Sequence, residues 1–447
     1  MKILRKLITI VLILVLANIA YIGLLTPISS SFYITLVVVS VLFWIIYNII
    51  PGHISGTVPK GMNIKMQALY GGAEMIMIAA ICSILEVAII LSIVFWTPWK
   101  ASAVNIVIAF VVLELMIIQG IVRIIVFSKQ AKLGWKLLVI LFWWVPIVNV
   151  VIIAKVCRIA RMECERETHL RLMDIARAEN HICKTKYPIM MVHGIFFRDW
   201  QYFNYWGRIP EELFKNGADV HYGRQQSSLT IANSAQELSE QIKEIIAETG
   251  CEKLNIIAHS KGGLDARYAI SCLECAPHVA SLTTINTPHH GCDWVDVVLE
   301  KSPQKLIRYI ERKYNQIFRK LGDDNPDFMG GVTDLTGASA KEFNSKVLNC
   351  EGILYQSVMS QMSKARSAGF PLNIGYSVIK KVQKTPNDGL VPIESAKWGH
   401  DLGLIKASGR RGISHADMID LNRENIPGFK VRDFYIDLIA DLKDKGL

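Results

Sequence analysis

Charge is scarce over the first 154 residues of this 447-residue chain, which excludes an ordinary soluble domain there. Elsewhere Lys and Arg never gather into one dense patch. The net charge of +10 is scattered, much of it beside apolar segments, so no nucleic-acid partner is expected and basic flanks of membrane spans are the simpler reading. The nine cysteines form no pair of metal knuckles, and their number is odd. Cys272 and Cys275 make a lone C-x-x-C placed by the pattern within a helix, so neither zinc nor a redox pair is expected. Free thiols fit a reducing setting better than an oxidising one.

What the chain has instead is hydrophobicity, 51% overall and concentrated before residue 155. Five apolar runs, roughly 7–25, 32–50, 75–96, 103–127 and 137–154, approach or exceed the ~20 residues of a spanning helix. The first follows Lys2, Arg5 and Lys6 and reads as a signal anchor rather than a cleaved signal peptide. Basic groups at Lys2/Arg5/Lys6, Lys60/Lys65 and Arg123/Lys129/Lys132/Lys136 alternate with charge-poor connections at 26–31 and 97–102. That alternation puts residue 1 inside, and five full spans would put the C-terminal half outside. Lys155, Arg158, Arg161, Arg166 and Arg171 argue for inside, and Trp143-Trp144-Val-Pro146 offers a way out if the fifth run is re-entrant or interfacial. The expected location is therefore a multi-pass cell-membrane protein whose catalytic half leans to the cytoplasmic side.

Glu86 and Glu114 stand out inside apolar runs. A hairpin centred near Lys100 would bring them to similar depth, either as a proton or lipid-headgroup site or as protonated carboxyls bonded between helices. Residues 155–184 read as an amphipathic linker helix. The expected organisation is a transmembrane helical region (1–154), the linker (155–184) and a catalytic domain (185–447).

From residue 187 short β-rich runs alternate with helical segments, as in an α/β parallel sheet. Expected strands are 188–193, 254–258, 281–286 and 372–378; expected helices are 233–249, 261–274 and 431–442. Ser234 to Glu237 reads as a capping box. Leu254-Asn-Ile-Ile-Ala-His-Ser260-Lys-Gly-Gly263 is a buried strand running into a helix through a G-x-S-x-G elbow, with Ala258 in place of the first Gly. Small residues two before and two after the serine let the turn close with the hydroxyl exposed. Pro188–Gly194 is a strand ending in His-Gly, the kind of loop that supplies an oxyanion N–H; Ile195 and Lys261 are the expected donors. Asp388, in Asn-Asp-Gly, and His415, in a loop before the last helix, follow in the Ser–acid–His order of this chemistry.

Residues 187–430 resemble the bacterial triacylglycerol lipases of the α/β-hydrolase superfamily. The matching motifs are Pro188–Gly194, Tyr205–Pro210, Ala258–Gly262, Thr287–Gly291, Asp334–Asn344, Asn387–Val391 with Ser395–Gly399, and Ser414–Asp417. The resemblance implies an α/β-hydrolase fold with a mostly parallel sheet, here preceded by an all-α transmembrane region. It implies Ser260 as nucleophile, Asp388 as acid, His415 as base, and carboxylic esters, often long-chain, as substrates. Some relatives hold calcium near the base; Asp417 could match one ligand, but 379–387 offers no first aspartate, so no cofactor is expected. Phe196, Phe197, Trp200 and His289 are candidates for the substrate pocket, and 293–328, basic and amphipathic, sits where these lipases carry a lid. Expected partners are a lipid or ester substrate and the bilayer; the sequence names no protein partner. The expectation is a membrane-anchored lipase or esterase; a lipid acyltransferase with the same triad and a catalytically silent scaffold are its rivals.

Overall fold

The computed structural model describes residues 2–54, 62–143, 145, 147–177, 181–195, 205–320, 323 and 325–447. The chain folds as two compact units, Met1–Ile175 and Ala176–Leu447.

In the first unit the helices are α1 (Lys2–Ala17), α2 (Ile19–Leu25), α3 (Ser30–Ile49), α4 (Pro51–Ile54), α5 (Ile64–Ile93), α6 (Trp99–Phe127), α7 (Leu133–Phe142) and α8 (Val148–Arg177). Among the described residues three helices are long and apolar enough to cross a membrane, or four if α1 and α2, bent by 69°, count as one span. Side-chain contacts fix their directions. Lys6 Nζ lies 2.9 Å from Glu74 Oε1, whereas Asn18 Nδ2 donates to Glu86 Oε2 at 2.6 Å, so α1 runs alongside α5. Arg123 donates to the carbonyls of Asn48 and Ile49, so the end of α3 returns to the level where α6 finishes.

The fifth apolar run is not one continuous helix. It breaks between α7 and α8, and Glu163 on α8 accepts hydrogen bonds from Ser128 Oγ (2.6 Å), Lys129 N (2.9 Å) and Gln130 N (3.2 Å). Those three groups lie in the loop from which α7 departs. The segment therefore runs out for ten residues and comes back to its starting level as a helical hairpin. Residues 2–6 and the end of α8 lie at the same end of the bundle. Helix α8 also runs without interruption through residue 154, where the linker was expected to begin. Trp144 and Pro146 lie outside the described residues.

The two glutamates do not meet. Gly72 faces Gly120 and Glu86 faces Asn105, so α5 and α6 turn near residue 96, not at Lys100. Glu114 lies on the wall with Met77, about eight residues or ~12 Å along the helix from the level of Glu86. Glu86 is instead held by Asn18 and Asn105, which also bond each other at 3.2 Å and stitch the bend between α1 and α2.

The second unit carries a six-stranded, all-parallel sheet in the order β2-β1-β3-β4-β5-β6. The strands are β1 (Ile189–Val192), β2 (Val220–Tyr222), β3 (Leu254–His259), β4 (Val279–Ile285), β5 (Leu354–Ser360) and β6 (His400–Ile405). Its helices are α9 (Ile209–Lys215), α10 (Ile231–Thr249), α11 (Gly262–Cys272), α12 (Asp293–Lys301), α13 (Gln304–Lys320), α14 (Phe328–Thr333), α15 (Gly337–Lys346), α16 (Leu372–Val382) and α17 (Val431–Asp444). Alternate residues of one strand enter different cores. Ile189 and Met191 pack with α9 and α17, and Met190 and Val192 pack with α10 and α11. A strand covered on both faces reads as an apolar run, which is why β1 and the Ile256-Ile257-Ala258 core of β3 were legible.

Two local expectations fail. Residues 372–378 are helix, not strand: Leu372, Gly375 and Ile379 are buried at helical spacing while Ile374 is exposed. The strand that precedes the Asp388 turn is β5. The start of α10 is capped by Thr230 Oγ1, which accepts from Asn233 N at 3.4 Å, not by Ser234. Ser234 lies buried in the first turn and donates to the carbonyl of Gln226 at 3.2 Å.

Candidate active site

Strand β3 ends at His259, α11 begins at Gly262, and Ser260 sits between them at φ +56°, a left-handed conformation unfavourable for a non-glycine residue. The elbow tolerates nothing larger at its edges. A Cβ on Gly262 would lie 2.3 Å from the His193 carbonyl oxygen, and one on Gly263 would lie 2.3 Å from Thr287 Oγ1. On the facing loop, a Cβ on Gly194 would come within 2.7 Å of Ser260 Cβ, so the His-Gly turn after β1 lies directly against the serine.

Asp388 and His415, 27 positions apart, form the tightest polar pair of the site. His415 Nδ1 lies 2.6 Å from Asp388 Oδ2, and the His415 backbone N–H donates to the Asp388 carbonyl at 2.9 Å. The other carboxylate oxygen accepts from the N–H groups of Leu390 (2.9 Å) and Val391 (2.7 Å), so the turn after Asp388 orients it. The carboxylate can only accept, so His415 Nδ1 must carry the proton and Nε2 is left as the acceptor. The His415 ring lies against that of His259, centroids 4.4 Å apart, which brings His415 to the residue next to Ser260. Ser260, Asp388 and His415 are all nearly buried.

Asp417, the calcium candidate, is spoken for. Its carboxylate takes Arg411 in a fork (2.9 and 3.1 Å) and accepts from Ser414 N at 2.7 Å, so it braces the loop that carries His415. No cluster of three or more metal-ligating side chains occurs among the described residues.

Neither Ile195 N–H nor Lys261 N–H donates to a protein acceptor among the described residues. The first follows Gly194, and the second is at the N-terminal end of α11, where backbone donors have no intrahelical partner. The Lys261 side chain does something the sequence did not reveal. It is buried, with Nζ 2.7 Å from Asp265 Oδ1 and 2.9 Å from Ser234 Oγ. Burial pushes the Asp265 carboxyl up to about 7 against the downward pull of Lys261.

His289, expected at the pocket, is fully buried. Its Nε2 meets Thr284 Oγ1 at 2.9 Å, its Nδ1 meets Arg267 Nη1 at 3.2 Å, and its ring stacks on Trp398. Burial first, and then the Arg267 guanidinium, hold it well below the usual histidine range and therefore neutral. Phe196, Phe197 and Trp200 lie outside the described residues.

Two residues were missed. Tyr205 Oη accepts from Gly194 N at 3.0 Å and lies 2.7 Å from His259 Nδ1, tying the loop after β1 to the end of β3. Burial and the facing His415 imidazole keep His259 well below its ordinary pKa. The only signals in the sequence were adjacency to Ser260 and the Tyr205–Pro210 motif. The lid region forms α12 and α13. Phe318 is buried against Tyr314, while Leu306, Tyr309 and Ile317 stay exposed amid basic side chains; Leu321 is outside the described residues.

A family model described as palmitoyl protein thioesterase matches residues 188–325. A triacylglycerol lipase of Burkholderia plantarii is 32% identical over 183 residues, 38% of this chain and 50% of that protein. A triacylglycerol lipase of Vibrio cholerae is 33% identical over 252 residues, 50% of this chain and 78% of that protein. The Staphylococcus hyicus lipase structure aligns over 59% of this chain and 97% of that one, at 18% identity and a TM-score of 0.47. The chain spans about half the length of several of the curated relatives it matches. With most of the Vibrio lipase covered at 33% identity, the chain belongs to the triacylglycerol lipases of the α/β-hydrolase superfamily.

Proposed function

We propose that the second unit is a serine carboxylic-ester hydrolase acting on lipid esters, anchored by the helical unit. Ser260 Oγ attacks the ester carbonyl while His415 Nε2 takes its proton. Asp388 holds the imidazole in the Nδ1–H tautomer and stabilises the imidazolium. The N–H groups of Ile195 and Lys261 receive the oxyanion. His415 returns the proton to the leaving alcohol, and water, deprotonated by the same base, releases the fatty acid from the acyl-enzyme. The observation that carries this reading is the 2.6 Å His415–Asp388 contact beside a serine held at positive φ.

A single substitution tests it. Ser260→Ala should abolish both hydrolysis of a short p-nitrophenyl ester and labelling by a fluorophosphonate probe; full retained activity would end the proposal. The thioesterase family match favours a second reading in which the acyl group is held as a thioester. Relative kcat/KM for a palmitoyl thioester and a glycerol ester decides between them.

We infer that the site faces the cytoplasm. Supporting this, Lys2, Arg5, Lys6, Lys65, Arg123, Lys129 and Lys132 gather at the end of the bundle where α8 finishes, whereas Lys100 alone marks the other. A membrane-impermeant fluorophosphonate should label lysed cells and spare intact ones.

A further inference from the structure

A cavity of about 1010 Å³ lies within the helical unit, between α5, α6, α7 and α8. It exists because α7 is only ten residues long and turns back, leaving a face of α6 uncovered. Its walls are mostly apolar, from Trp143 and Val150 near the tip of the hairpin to Ile121 and Ile125 on α6. Ala73, Ala80 and Ala154 leave room that larger side chains would fill.

On α8, Val150, Ala154, Arg158, Arg161 and Glu165 recur every three or four residues and share one face along the cavity. Val150 to Arg161 spans about 17 Å at 1.5 Å per residue. That is close to the ~15 Å of hydrocarbon in one leaflet. The charged end lies beside Glu163, at the level of the 128–130 loop. Arg161 is shared with Glu74 at 3.6 Å, and Glu114 also lines the cavity. Arg158 has no ion-pair partner among the described residues, which leaves a cation for a ligand at the polar end of an apolar trough. Glu165, one turn further out, is an acceptor for a headgroup that carries donors.

We propose that this cavity holds one glycerophospholipid of the leaflet on the side of residues 2–6. Its acyl chains lie along α6 and α8, its phosphate is held by Arg158 and Arg161, and its headgroup hydroxyls donate to Glu165. Phosphatidylglycerol has this chemistry; phosphatidylcholine, whose headgroup has no donor, does not. The proposal rests on the membrane embedding of the helical unit but not on the hydrolase chemistry.

The test uses the full chain in nanodiscs of phosphatidylcholine doped with phosphatidylglycerol, followed by native mass spectrometry of the retained lipid. Wild type should retain phosphatidylglycerol selectively. Arg158→Gln should lower that retention about tenfold, the size of one charge-assisted contact. Ala154→Trp, which fills the trough without touching charge, should abolish it. Both variants should hydrolyse a short soluble ester as wild type does, which also reports that they fold. Retention by Arg158→Gln at the wild-type level, or equal retention of phosphatidylcholine, overturns the proposal. Release of the wild-type chain from membranes by alkaline carbonate overturns the embedding and the proposal with it.

Discussion

Asp388→Asn should inactivate the enzyme through a proton in the wrong place. In the native turn, Oδ1 accepts two backbone N–H bonds, from Leu390 and Val391, while Oδ2 faces His415 Nδ1 at 2.6 Å. An asparagine has one acceptor and one donor end. Two N–H groups at 2.9 and 2.7 Å compel the amide oxygen to replace Oδ1. The NH2 group then points at His415 and donates to Nδ1, which drives the imidazole proton to Nε2. The base thereby presents a donor, not a lone pair, to Ser260. The substitution is nearly isosteric, so packing survives and only the tautomer changes. The corresponding change in a serine protease lowers kcat by about 10⁴, or ~5.5 kcal/mol in the barrier. The assay is initial-rate hydrolysis of p-nitrophenyl butyrate near pH 8 by the full chain in detergent, with a matched thermal melt. A variant that melts like wild type and keeps more than about a tenth of its kcat would refute the assignment of Asp388 and the tautomer argument together.

Two further outcomes follow from buried groups. Tyr205→Phe strands the Gly194 N–H and His259 Nδ1, so stability should drop by about 1–3 kcal/mol. The loosened oxyanion loop should lower kcat at least about tenfold with KM little changed. An unchanged kcat in a destabilised variant would reduce Tyr205 to a packing role. His259 and His289 are both held below the usual histidine pKa, so the unfolded chain binds protons that the folded chain refuses as pH falls below 6.5. Stability from these groups is complete above that pH and shrinks below it, by about 1.4 kcal/mol per pH unit for each histidine. His289→Gln should lessen the slope of unfolding free energy against pH by that amount below 6.5; an unaltered slope would count against a neutral His289.

The parts of the site legible in the sequence were those whose chemistry is local. An elbow needs small residues at fixed offsets from the serine, and the clashes at Gly262 and Gly263 show why. A strand buried on both faces needs an apolar run; β1 has one and β3 has Ile256-Ile257-Ala258, whereas β4, with Ser281, Thr283 and Thr284, was found through its β-branched residues. Strand β5 was invisible because Gln356, Ser357 and Ser360 interrupt its pattern. They are buried there because Thr283 Oγ1, Trp398 N and Asn286 Nδ2 satisfy them, partners that only the assembled sheet supplies. His289 and His259 differ little in sequence, yet one packs against Trp398 and the other against His415.

Sequence by itself determined the apolar half, the elbow and the Ser–Asp–His order, because hydropathy, steric room and residue chemistry belong to residues one at a time. Tertiary structure decided that the fifth apolar run folds back on itself, that Glu86 answers to Asn18 and Asn105 rather than to Glu114, and that Tyr205 joins the two loops of the site. Those outcomes depend on which polar groups, distant along the chain, are left to satisfy one another once the helices and strands have packed.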